Sequence, residues 1–344
     1  IVTILMSEQY VKNNLTSQGE YYGLVLFAIL GMNILIQSQE FLTAYVSLEL
    51  LSFCLYVLVG YSKFNPKSNE ASIKYIIFGT FSSAILLYGL SMLYSVVGST
   101  QYGDIAQVLS SAGSLDPVAG IGMVLIIIGI GFKVGIVPFH AWIPDVYEGA
   151  PTPITAFLSV AIKAAGFAVI LRVFYGSFSS ESLSIEWSMI FAIMAVLSMV
   201  IGNFVAISQK NIKRLLAYST IAHAGYMMMG LTVVSSRMDD FTLAGPGGIV
   251  FYLIGYAATN LAAFVAVIAI SNKTGSDLIE DFAGIGRRSP VIAICLAIAL
   301  ISLTGLPPTV GFMAKLHVFT VALNGGLWWL VLAGTLSSVV SAYY

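Results

Sequence analysis

The sequence predicts an all-α protein that crosses a membrane many times. Of its 344 residues, 58% are hydrophobic and only 9% are charged. Soluble domains carry about 25% charged residues, and the mean hydropathy here is +0.92. Apolar runs recur at the length a bilayer core demands, about 20 residues per helix. By that criterion there are ten spans, over 20–37, 40–60, 71–97, 118–142, 152–175, 186–207, 212–234, 247–270, 290–322 and 326–344. The connections between them are short, and the longest, 98–117 and 271–289, cannot hold a domain of their own.

Charge and cysteine content exclude other classes. A net charge of −1 with no Lys/Arg block offers nothing to a nucleic acid. Cys54 and Cys295 lie inside apolar runs without CxxC spacing, so neither a disulfide nor a metal or iron–sulfur site is expected. No cleavable signal is recognisable. The sequence opens on Ile1 and closes inside the apolar stretch "SSVVSAYY", and it reads as the interior of a longer protein.

Lys and Arg set the orientation. Loops on one side carry Lys12, Lys63, Lys67, Lys210, Lys213, Arg214, Lys273, Arg287 and Arg288, whereas the other side has little beyond Arg172 and Arg237. The basic side is expected to face the cytoplasm, or a matrix or stroma. After a connecting segment 1–19, the spans divide into five within 20–180 and five within 181–344. An odd number per set means that any repeat between the sets is inverted. There is such an echo: "GFKVGIVPFHAW" in the fourth span and "LTGLPPTVGFMAKLHVF" in the ninth each join Gly and Pro to a lysine and a histidine. Paired broken spans of this kind point to transport across the membrane.

Seven titratable side chains sit deep in spans: Glu49, Lys133, His140, Lys163, His223, Lys315 and His317. A charge at the bilayer centre costs at least about 2.5–3.5 kcal/mol on insertion scales. The cost is tolerable if these groups face one another across a hydrated interior, or if the lysines release their protons. Those are the requirements of a proton relay. Lys133 is too near mid-span to snorkel, and the same holds for Lys163 among its small neighbours. Lys133 and His140 are seven residues apart, which would place them on one face of an unbroken helix. Pro138 interrupts that helix and frees the carbonyl of Val134 beside Lys133. Pro307 and Pro308 likewise free the carbonyls of Leu303 and Thr304 ahead of Lys315. Glu49 is the one acid at the middle of any span; its natural partner is a buried lysine, as part of a path or as a structural ion pair. Lys315 and His317 point to nearly opposite faces, which favours Lys315 for the path and a packing role for His317. His223, with Ser219, Thr220 and Tyr226 nearby, is either a relay or a hydrogen-bonded core histidine. Lys74 beside Glu70 reads as a residue snorkelling to the interface, and "NIKRLL" as an anchor on the basic side.

"PFHAWIPDVYEGAPTPITAFLS", "LLAYSTIAHAGY" and "GLPPTVGFMAKLHVF" closely resemble the N-type antiporter-like membrane subunit of respiratory complex I (NADH:quinone oxidoreductase), whose chloroplast and cyanobacterial counterpart is the B-type subunit. The resemblance covers essentially the whole chain, and "DVYEGAPTP" separates it from the L- and M-type sisters and from multisubunit Na⁺/H⁺ antiporters. It implies the antiporter-like fold, two inverted five-helix repeats with broken helices in the fourth and ninth spans. The ten spans would be ten of the family's fourteen helices. It assigns Glu49, Lys133, Lys163 and Lys315 to the charged axis, with His140 after the first break. It further implies proton translocation in a redox-driven complex, other membrane subunits as partners (M-type and the small K-, J- and A-type) and no cofactor in this chain. FMN, iron–sulfur clusters and quinone would belong to the whole complex. A bacterial inner membrane is the expected location, with thylakoid or mitochondrial inner membrane as alternatives. A cation/H⁺ antiporter and a non-pumping scaffold subunit share this architecture and stand as rival functions.

Overall fold

A computed structural model describes residues 1–14, 18–111, 116–178, 181–233 and 245–344; Arg237 lies outside them. The described secondary structure is helical. Seven helices are long and apolar enough to cross a membrane: α2 (Gln18–Gln37), α3 (Phe41–Val59), α4 (Pro66–Val97), α6 (Pro117–Val134), the stretch Thr152–Gly176, α10 (Glu181–Ala206) and α12 (Gly245–Thr274). Four more complete the set of ten spans: α11 (Ile212–Met229), α14 (Pro290–Thr304), α15 (Val310–Asn324) and α16 (Trp328–Ser341), with α14 and α15 the two halves of the ninth. The protein is therefore an integral, multi-pass membrane protein.

Segments expected to be connections are also helical. α1 (Val2–Asn14) occupies the segment before the first span, and α5 (Tyr102–Ser111) lies between the third and fourth. α5 buries Tyr102, Ile105 and Leu109 on one face. Ten residues is too short for a span, so hydropathy alone passes over it. Boundaries elsewhere follow side-chain chemistry. The Asn65, Asp116 and Asn211 side chains accept from the first free N–H groups of α4, α6 and α11, the role these short acceptors play at helix starts.

The two expected breaks are present and built alike. α6 ends at Val134 on Gly135, which has φ +75°, and α14 ends at Thr304 on Gly305, with φ +83°. Each glycine is followed three residues later by a cis proline, Pro138 and Pro308. Left-handed backbone favours glycine, so Gly135 and Gly305 end the helices, two or three residues before the prolines to which the sequence assigns the break. The chain resumes as α7 (Trp142–Gly149) and as α15, the latter capped by Thr309. α7 carries Asp145 and Glu148 beyond the expected end of the fourth span.

Packing defines the site. α2, α3, α4 and α6 pack in sequence, as do α10, α11 and α12, and α12 also contacts α14 and α15. Between the sets stands Thr152–Gly176, formed of α8 (Thr152–Phe157), a π-helical turn over Leu158–Ile162 and α9 (Lys163–Gly176). α9 contacts α2 and α6 on one side and α12 on the other.

Close approach at the second break leaves no room for a side chain: a Cβ on Gly311 would overlap the Ser302 carbonyl. Gly311→Ala is expected to cost about 1–3 kcal/mol and to lower the heat-inactivation temperature and yield of the assembled protein. Gly103→Ala, where a Cβ meets nothing within 4 Å, should leave both unchanged.

Candidate functional site

The first cluster lies at the α3, α4 and α6 interface. Glu49 and Ser52 are three residues apart on α3 and so share a face. Lys133, at the last turn of α6, donates from Nζ to Ser52 Oγ at 2.8 Å and stands 3.5 Å from Glu49 Oε1. Ser83 of α4 donates to the same carboxylate oxygen at 2.5 Å. Lys133 is only 6% exposed, so each of these polar contacts offsets part of the cost of removing an ammonium from water. The Val134 carbonyl is not what Lys133 contacts. The ammonium turns toward α3, and the carbonyl with a new donor is that of Phe132, which accepts from Trp142 Nε1 at 3.1 Å. Trp142 in turn stacks on Tyr75, with centroids 4.5 Å apart and planes 12° apart.

Lys163 begins α9 directly after the π turn, a distortion frequent at functional sites. It is 2% exposed, and its Nζ donates to the backbone carbonyl of Thr220 on α11. Thr220 Oγ1 lies 3.0 Å from the Tyr256 hydroxyl. One turn further along α11, His223 Nδ1 meets the Tyr252 hydroxyl at 2.7 Å. The His223 ring is 5.0 Å from that of Tyr256. His223 is therefore a hydrogen-bonded core histidine, one helical turn from the residue that receives Lys163.

Lys315 closes the series. Its Nζ donates to the freed Thr304 carbonyl at 2.7 Å and to Ser338 Oγ at 2.8 Å, and lies 4.4 Å from the centroid of the Tyr226 ring. The break thus supplies the acceptor that its lysine needs. A small cavity of about 30 Å³ joins His223 and Lys315, lined also by Asn203, Ser219, Tyr226 and Tyr344. Lys163, His223 and Lys315 thus meet along α11, whereas Glu49 and Lys133 form their own pair. His140 falls in the irregular stretch after Pro138, half-buried and off any common helical face with Lys133; its Nδ1 is buried without a partner. His317 faces Gly248 and Phe251 of α12, away from Lys315.

A search for buried charges passes over the neutral partners, Ser52, Ser83, Thr220, Tyr252, Tyr256 and Ser338. Helical spacing was the available signal, since Ser52 follows Glu49 by three and Tyr252 and Tyr256 are four apart. It also misplaces Lys213 and Arg214. They are no solvated anchor: Lys213 is 4% exposed and donates to the carbonyls of Glu148 and Ala150, each at 2.7 Å. Arg214 Nη1 reaches Asp145 at 2.7 Å and Glu148 at 3.0 Å. Lys74 pairs with Glu70 as expected and also with Asp145, both at 2.7 Å.

Broken helices bracketing a line of buried lysines define a class of ion-translocating, antiporter-like membrane proteins. Residues 38–341 match the family described as NADH:quinone oxidoreductase/Mrp antiporter, transmembrane. The chain is 43% identical to an NADH-quinone oxidoreductase subunit N of Chlorobium chlorochromatii, over all of this chain and 67% of the relative. It is 46% identical to an NAD(P)H-quinone oxidoreductase subunit 2 of Synechocystis, over all of this chain and 65% of the relative. A chain of respiratory complex I from Thermus thermophilus superposes with a TM-score of 0.80 at 34% identity, over 100% of this chain and 73% of that one. This chain belongs to the NADH:quinone oxidoreductase/Mrp antiporter family, among the N-type subunits, and spans about two thirds of the length of these relatives.

Removing the Lys213 ammonium leaves the carbonyls of Glu148 and Ala150 without their donor, at about 1–3 kcal/mol for each buried group. Lys213→Met should therefore shorten the heat-inactivation half-life of the assembled protein severalfold, while Lys210→Met, in the neighbouring turn, should not.

Proposed function

We propose that this chain is a proton-translocating subunit of a redox-driven NADH:quinone oxidoreductase, and that Glu49, Lys133, Lys163 and Lys315 carry the proton. The single observation that supports this best is the spacing of buried lysines, each held by a breakable polar contact beside a helix break or a π turn. Residues 20–180 and 181–344 are the two inverted repeats, after the connecting segment 1–19. M-type and the small K-, J- and A-type subunits are the partners, and a bacterial inner membrane is the location. FMN, iron–sulfur clusters and quinone belong to the whole complex.

The proposed sequence starts with a change arising at the quinone site elsewhere in the complex. It alters the Glu49–Lys133 pairing, which frees the Lys133 proton. Lys163 accepts through hydration of the interior and passes the proton by His223 to Lys315. Thr304 and Ser338 then hold the ammonium until the proton leaves on the other side. His140 is a secondary member, because its Nδ1 is buried without a protein partner where water can bind, and Pro138, Pro307 and Pro308 are the helix breaks.

The test is proton uptake into inverted native membrane vesicles on adding the electron donor, with quinone reduction recorded in the same sample. Lys133→Met and Lys315→Met should each lower uptake per assembled complex about tenfold, equivalent to about 1.4 kcal/mol on the barrier. Unchanged uptake in both assembled variants would leave a non-pumping subunit as the better reading. Uptake that demands Na⁺ would support a cation antiporter instead.

A further inference from the structure

The charged groups around α7 form a clamp with a regular design. Asp145 and Glu148 are three residues apart and so lie on one face of α7. Each divides its two oxygens between two helices. Asp145 gives Oδ2 to Lys74 of α4 and Oδ1 to Arg214 of α11, both at 2.7 Å. Glu148 gives Oε1 to Lys67 of α4 at 2.9 Å and Oε2 to the same Arg214 nitrogen at 3.0 Å. Beneath them, Lys213 grips the main chain at the end of α7, and its Nζ stands 3.8 Å from Asp277. Glu70 shares Lys74 with Asp145. Four cations thus face four carboxylates, so the cluster is neutral as a whole. Most pairs between exposed groups contribute little, but here Asp145 and Glu148 are each shared by two helices and more than half shielded.

What the clamp holds is the helix that closes the first break. Trp142, at the start of α7, donates to the Phe132 carbonyl one residue before Lys133. Ile143 fills the space over Gly135, where a Cβ would collide with it. A displacement of α7 therefore moves the last turn of α6, which carries Lys133. On the other side the clamp grips the first turn of α11. That helix also presents the Thr220 carbonyl to Lys163, His223 to the cavity and the Tyr226 ring to Lys315. The clamp is where the helix closing on Lys133 is fastened to the helix serving the other two lysines.

We propose that Asp145, Glu148 and Arg214 are positioning residues for proton transfer, which hold Lys133 in register with Lys163 and Lys315 by fastening α7 between α4 and α11. This rests on the reading of Lys133 as a path residue. The carboxylates respond to pH in a defined direction. Burial acts to raise the Asp145 and Glu148 pKa, but hydrogen bonds from Lys74 and Arg214 to Asp145, and from Lys67 and Arg214 to Glu148, outweigh it and hold both below the usual range. A lowered folded pKa means the clamp's contribution is complete above the ordinary values, about 3.9 and 4.3. It is lost as pH falls through the folded values. Without Arg214 those values rise, so the acid loss must begin at a higher pH.

The experiment measures proton uptake and quinone reduction from about pH 4 to about pH 8 in native inverted vesicles. They carry wild type, Arg214→Gln, Arg214→Lys, Asp145→Asn or Lys133→Met, normalised to assembled complex. Arg214→Gln should lower uptake near neutrality about three- to tenfold and shift its acid limb upward. Arg214→Lys should recover much of the rate and return the limb toward wild type. If Arg214→Gln fails to assemble, Asp145→Asn carries the same loss of rate. Wild-type uptake with an unmoved acid limb in assembled Arg214→Gln, or in Asp145→Asn where that variant stands in, overturns the proposal, as does a loss that Arg214→Lys leaves uncorrected. Lys133→Met separates the two readings: if it pumps normally the path assignment fails, and if it alone is impaired only the clamp fails.

Discussion

Everything in this fold answers to the cost of placing ammonium groups where water is scarce. An isolated charge in a low-dielectric interior is several kcal/mol worse than the same charge in water, and geometry must supply nearly all the compensation. Lys133, Lys163 and Lys315 meet this demand with different partners. Lys133 has a carboxylate and a hydroxyl, Lys163 a backbone carbonyl, and Lys315 a carbonyl, a hydroxyl and an aromatic face. Among the described residues, Lys133 has two such acceptors and Lys163 one, where three ammonium protons could use more. Partial satisfaction keeps the charge tolerable and leaves it easier to move.

The helix irregularities are part of the same accounting for polar atoms. An unbroken helix keeps its carbonyls engaged and offers a buried lysine nothing. At the second break, Gly305 ends α14 and leaves Thr304 free to accept from Lys315. At the first, Gly135 ends α6, yet the Phe132 carbonyl, which also accepts from the Gly135 N–H, receives Trp142 while Lys133 takes Glu49 and Ser52. Two breaks with the same backbone design thus serve different ends. One supplies an acceptor to its lysine, and the other supplies an anchor for α7. In membranes, irregular backbone is tolerated where protein or a cavity receives the freed groups, and both breaks conform.

The architecture also separates rigid from yielding regions. Around α7, Asp145 and Glu148 are each divided between two helices, so movement there costs several contacts at once. Around His223 and Lys315 an unfilled cavity lies against hydroxyls and an amide, which leaves room for water and for side-chain motion. A proton path needs both: fixed helices to set donor and acceptor apart, and space between them for exchange.

The sequence by itself determined the membrane class, the ten spans, the two breaks and the charges that have to be buried. Each is a local consequence of composition: apolar run length, Gly beside Pro, and a lysine too deep to snorkel. Glu49 was also marked as the natural partner of a buried lysine, because no other acid lay at mid-span. Which groups satisfy each charge was decided only in three dimensions. Ser83, Thr220 and Ser338 come from other helices than the residues they serve, and neutral side chains leave no trace in a charge pattern. Lys213 and Arg214 show the limit most clearly. On the sequence they stand at the start of a span on the basic side, where a solvated anchor is the ordinary outcome. Helix packing placed α7 over them instead, and so turned two charges at the start of a span into the point where α7 is fastened to α11.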